Sequence, residues 1–251
     1  MNANFSIDSS TRKYLIPEEV YDFDHPDVVY WTQYYLERSN RKSIFDEIDF
    51  TLNNLRSIET AKKVSIAWYE FTRYVPGFIS KAVVLTTDPE RQHHLIQIAY
   101  DELGGRDKDY IHSKLFLDAV SEIGIDIPEN HISSSMTRVL SELDSVMDNN
   151  ISQYGIVGLL LSFEIIAEEN VEMLFNGLCY NDKCNDILSK SKFFQIHRED
   201  ESEHIRHSIA NFLRFCGSDE QKFLFEKSFD EGILFWNDFW SRMKSVVISD
   251  I

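Results

Sequence analysis

Three cysteines, five prolines and nine glycines are few for 251 residues, and each shortage narrows the field. The thiols, Cys179, Cys184 and Cys216, are odd in number and lack C-x-x-C spacing. That leaves no disulfide framework and points to a reduced, cytoplasmic chain. So few backbone breakers leave long uninterrupted stretches, a pattern of helices rather than of many short strands. Basic residues are short as well: 25 Lys and Arg against 42 Asp and Glu give a net charge of −17. Nucleic acid and anionic membrane surfaces need clustered cations, so neither is an expected partner. The most apolar stretch, Ile156–Ala167, falls short of the about 20 residues of a membrane span and contains Glu164. Residues 1–16 are polar with no apolar h-region, which points away from a secretory signal.

What is present is helical periodicity. Residues 1–25 read as an irregular arm and 26–251 as one helical domain. Asp27 is placed to cap a helix carrying Val28, Trp31 and Tyr35, and a second runs through Ile44, Phe45, Ile48 and Leu52. A third carries Ala61, Val64, Trp68 and Phe71, and Pro76 is expected to kink or end it. A fourth, from about Pro89 to Leu103, is stopped by Gly104–Gly105; the next holds His112 and ends near Gly124. Helical spacing resumes at Met136–Leu143, and a nearly all-apolar helix spans about Gln153 to Phe175. Another runs from near Lys192 to Cys216–Gly217, and a last one, starting near Asp219, carries Phe229, Trp236 and Trp240. No segment alternates like a strand. The expectation is all-α, a single compact helical bundle.

The chemistry concentrates in FFQIHREDESEH, where His197, Glu201 and His204 stand at i, i+4 and i+7. On a helix these fall at about 0°, 40° and −20°, one face bearing two imidazoles and a carboxylate. That is a ligand set for a divalent transition metal, iron in particular. Asp200 and His207 turn away from its centre. Glu164 interrupts the apolar helix, where a carboxylate needs a cation, a donor or a proton, and Glu168 follows one turn later as the reserve. Glu102 ends one helix and His112 opens the next, so the glycine pair between them is placed to fold both toward one point. Glu102, His112, Glu164, His197, Glu201 and His204 together make a mixed nitrogen and oxygen set of the kind that holds paired iron or manganese in helical bundles.

On DELGGRDKDYIHSKLF, GLLLSFEIIAEEN and FFQIHREDESEH, over roughly residues 60–240, the chain resembles the haem-oxygenase-like di-iron oxidases and oxygenases. The family's last motif is His-x3-Asp-x2-His; this chain has Glu201 where Asp is usual. The resemblance implies two Fe ions with Mn as the alternative, O2 as co-substrate, an external reductant, and a small amine- or carboxylate-bearing substrate. N-oxygenation of an amine is the first choice of reaction, resting on the Glu102–His112 spacing. Oxidative C–C cleavage or decarboxylation in the same site is the alternative.

Three other readings compete. A ferritin-like bundle would use Asp109-x-x-His112, Glu201-x-x-His204, Glu164 and Glu70, but leaves His197 without a task. A metal-free, thiaminase-II-like enzyme would draw on one of the cysteines. A helical binding module, or a homodimer through an aromatic helix face, would use Trp236, Phe239 and Trp240, a stripe more often found in a core.

Overall fold

A computed structural model describes residues 26–41, 44–128, 134–149, 152–199, 205–206, 208–210, 212–213 and 216–248. The expected N-terminal arm, Glu201 and His204 lie outside these. The described helices are α1 (Pro26–Asn40), α2 (Phe45–Asn54), α3 (Ile58–Leu85), α4 (Pro89–Glu102), α5 (His112–Glu122), α6 (Ser134–Asn149), α7 (Gln153–Ile165), α8 (Ala167–Leu178), α9 (Asp182–Lys190), α10 (Lys192–Glu199) and α11 (Asp219–Ile248). Among the described residues the only β pairing is an isolated antiparallel bridge, Leu103 to Ile111. The architecture is an all-α bundle, as the periodicity predicts.

Most helix starts follow from local chemistry. Ser57 accepts from the Thr60 N–H at 3.1 Å, and Asp88 accepts from the N–H groups of Glu90 and Arg91 ahead of Pro89. Of the two expectations at Pro76, the ending is not met: α3 runs through it to Leu85. An internal proline costs about 3 kcal/mol. Phe78, Ile79 and Ala82 are buried beyond it, and a fully buried Phe or Ile side chain returns about 1.5–3 kcal/mol.

Two further departures concern boundaries. The apolar helix expected over Gln153–Phe175 is broken at Ile166 (φ −113°, ψ 12°), which separates α7 from α8. The short helix α9 was not expected; Asn181 caps it by accepting from the Cys184 N–H at 2.9 Å, and it buries only Cys184 and Leu188.

Helices α7 and α11 make the most extensive contact of the bundle. Glycine allows it: a Cβ on Gly158 would run into the Phe225 backbone, and one on Gly232 into the Ser162 side chain. Phe163 then stacks on Phe235 at 5.8 Å and meets Trp236 edge-on at 5.1 Å. Trp68 and Phe71 of α3 close the same aromatic seam. Across the bundle Arg38 of α1 grips Asp230 of α11 with two bonds, of 2.8 and 2.9 Å. The stripe of Trp236, Phe239 and Trp240 is therefore core, each residue at most 2% exposed.

Candidate metal centre

The site begins with how α4 stops. After Glu102 the chain enters left-handed backbone at Gly104 (φ 86°) and Gly105 (φ 60°), which an L side chain resists. Their N–H groups return to the Asp101 and Tyr100 carbonyls, both at 2.8 Å, and satisfy the open helix end. The Asp107 carboxylate then accepts from the Asp109 N–H at 2.9 Å and opens a 3-10 turn over Lys108–Tyr110. The Leu103–Ile111 bridge closes the loop. In an antiparallel pairing the residues flanking a bridged pair also face each other, here Glu102 and His112.

They meet. His112 Nδ1 lies 3.0 Å from Glu102 Oε2, with the two side chains 13% and 22% exposed. The contact is out of line for a hydrogen bond: both His112 ring nitrogens are buried without a hydrogen-bond partner. Leaving such groups unsatisfied costs about 1–3 kcal/mol.

His197 is brought in by a ladder of rings. One turn apart on α5 stand His112 and Phe116; one turn apart on α10 stand Phe193 and His197. Phe116 meets Phe193 at 5.1 Å and His112 meets His197 at 4.9 Å, so the helices run antiparallel with both imidazoles at one level. His197 Nδ1 is 2.7 Å from the Phe193 carbonyl. A carbonyl can only accept, so Nδ1 donates; in the neutral ring this leaves the lone pair on Nε2, the arrangement of a metal-ligating histidine.

These residues fit a divalent transition metal. Two ligands about 2.1 Å from one ion at a right angle stand about 3.0 Å apart, and the Glu102–His112 contact has that spacing without hydrogen-bond alignment. They do not complete a site. Among the described residues no three histidine, cysteine or acidic side chains form a metal-holding group. Glu201 and His204 lie outside the described residues.

Glu164 is half-buried in the last turn of α7, beside the break at Ile166. Glu168, its reserve, is exposed, whereas the neighbouring Glu169 is half-buried. Burial pushes the Glu169 carboxyl above its ordinary range, with Glu168 adding repulsion and a backbone hydrogen bond pulling the other way. Periodicity within an apolar run did not single out Glu169. Only the helix break, which resets the facing of α8, sets it apart from Glu168. Glu70 is buried on α3, which packs against α4, α5 and α8.

The competing readings lose ground. Asp109, needed for a ferritin-like pair, is exposed. Cys179 and Cys184 are buried, and burial pushes the Cys216 thiol up to about 11, so it stays protonated at neutral pH and is a poor nucleophile.

Residues 61–226 match a family described as iron-containing redox enzymes. The chain belongs to that family, and its bundle is of the haem-oxygenase-like type. One relative, the 4-chloro-allylglycine synthase of Streptantibioticus cattleyicolor, is 27% identical over 183 residues, 71% of this chain and 68% of the relative. Among solved structures, a CADD-like protein of unknown function from Nostoc punctiforme has a TM-score of 0.73 at 15% identity, over 87% of this chain and 99% of its own. A TenA homologue from Pyrococcus furiosus has a TM-score of 0.55 at 15% identity, over 88% and 99%. These two likenesses speak for the fold alone. No described helix is long and apolar enough to cross a membrane.

Proposed function

We propose that this iron-containing redox enzyme is a non-haem di-iron oxidoreductase that uses O2 to oxidise a small metabolite bearing an amine or a carboxylate. Glu102, His112, Glu164, His197, Glu201 and His204 are its proposed ligands. The observation that carries the reading is the Glu102–His112 pair, in contact at 3.0 Å with the imidazole nitrogens otherwise unsatisfied. Glu164 is included because it is a half-buried carboxylate in the otherwise apolar helix α7.

When bound, a ferrous pair would supply electrons for the reduction of O2, and an external reductant would restore it. The protein's part is positional. Glu102 brings negative charge to offset the cations. The Phe193 carbonyl fixes the orientation of the His197 ring. Phe116, Phe193 and Phe194, all fully buried, wall off water beside the imidazoles and strengthen the local electrostatics.

For the reaction, the interval from Glu102 to His112 resembles that of family members with a wide first motif, some of which oxygenate nitrogen, and this favours N-oxygenation of an amine. A second reading, oxidative C–C cleavage of an α-amino acid, is favoured by the relative whose name says that it makes an amino acid with an allyl side chain. Both make amino acids the first substrates to try. The test is anaerobic loading with Fe(II), iron counting, and O2 uptake with a panel of amino acids, amines and fatty acids. Two irons per chain and substrate-dependent O2 uptake are expected. A product that keeps its carbon skeleton and gains oxygen on nitrogen fits the first reaction; a shortened product with a terminal alkene fits the second. No bound iron, with His112→Ala behaving as wild type, would refute the proposal.

A further inference from the structure

We infer that the segment Leu103–Ile111 is a positioning clasp, built on Gly104 and Asp107, that sets the Glu102–His112 spacing and so governs metal affinity. This rests on the metal-binding reading above. Neither Gly104 nor Asp107 offers a ligand to the site; Asp107 is exposed and its carboxylate faces the Asp109 N–H. Their effect is exerted through the backbone. At Gly104 the chain turns with φ 86°, and an added Cβ would lie 2.7 Å from the Ile111 nitrogen and 2.9 Å from the Tyr110 carbonyl carbon. Only glycine lets Ile111 come close enough to bridge Leu103.

Asp107 holds the other end of the turn. Its N–H donates to the Gly104 carbonyl at 3.0 Å, and its own carbonyl accepts from the Tyr110 N–H at 2.9 Å. With the side-chain cap on Asp109, three bonds fix the path from Gly104 to Tyr110. The Tyr110 ring then receives the Lys192 ammonium at 4.6 Å, which ties the clasp to the first residue of the helix carrying His197. One short loop therefore sets the separation of two ligand side chains and is tethered to the helix of a third.

The test uses the full chain, metal-free, titrated with Co(II) as a visible probe of ligand geometry. Asp107→Ala is expected to weaken Co(II) binding about tenfold and to change its visible bands, as loss of a supporting partner around a metal ligand does. Its metal-free thermal midpoint should fall only slightly, as loss of one exposed cap does. Asp107→Asn, whose amide oxygen still accepts from Asp109, should restore both affinity and spectrum. Gly104→Ala should lose Co(II) binding and also lower the midpoint. Wild-type affinity and spectrum in Asp107→Ala would overturn the positioning role and leave the ligand assignment standing. A loss that Asp107→Asn does not repair would overturn it too, since charge rather than the cap would then be responsible. Unchanged binding and spectrum in His112→Ala would remove the ligand assignment, and the clasp's role with it.

Discussion

The seam between α7 and α11 and the corner formed by α4, α5 and α10 are both buried and both rich in rings, yet they handle polar groups differently. At the seam, Trp240 of α11 donates to Asn170 of the adjoining α8 at 2.7 Å and the Ser162 hydroxyl to the Leu159 carbonyl at 2.6 Å. The exceptions are the indole N–H groups of Trp68 and Trp236, buried without partners. An indole N–H has no lone pair to offer, so an unsatisfied one there is only a cost. In the corner the unsatisfied group is an imidazole with a carboxylate 3.0 Å away, and it can turn the same cost into coordination. The type of the unsatisfied atom, rather than burial alone, separates the proposed site from the core.

The strongest way to break the comparison is to damage the seam. Gly158→Leu forces a side chain into the Phe225 backbone, and a loss of about 3 kcal/mol or more is expected by urea unfolding, with metal binding falling only as the fold does. The corner should behave in the opposite sense. His112→Leu removes buried nitrogens without partners and is expected to stabilise the metal-free protein by about 1 kcal/mol while abolishing tight metal binding. A loss of stability together with retained iron would make His112 an ordinary core residue.

Smaller effects sharpen the contrast. The Glu169 carboxyl is raised by burial in the folded state. Its stabilising contribution is thus complete below the unfolded carboxyl range and is lost as pH rises through the folded value. Glu169→Gln should raise the metal-free thermal midpoint slightly at neutral pH and flatten its slope between acid and neutral. Least of all should thiol chemistry matter. With Cys216 pushed up to about 11 and the other two thiols buried, alkylation of the native protein at pH 8 should be slow and leave O2 uptake unchanged.

Much of this was legible from residue order. Pro89 marked a helix start, Gly104–Gly105 announced a stop, and the apolar spacing along the chain pointed to the class of fold. The pairing of Glu102 with His112 was readable because both flank a glycine turn. The break at Ile166 was not, because neither glycine nor proline marks it and an all-apolar helix has no preferred face to lose. Helix α9 escaped notice for the reverse reason: with two buried residues it carries too weak a period. At Pro76 a local rule lost to tertiary burial of the turns that follow.

Residue order alone settled the helical character, the acidic surface and the kinds of ligand on offer, since these depend on spacing of 3.6 per turn and on composition. Tertiary structure decided which side chains stand together: the ring ladder that aligns His112 with His197, the tautomer set by the Phe193 carbonyl, and the core role of the C-terminal tryptophans. Such outcomes depend on contacts between residues far apart in the chain, where local periodicity has no reach.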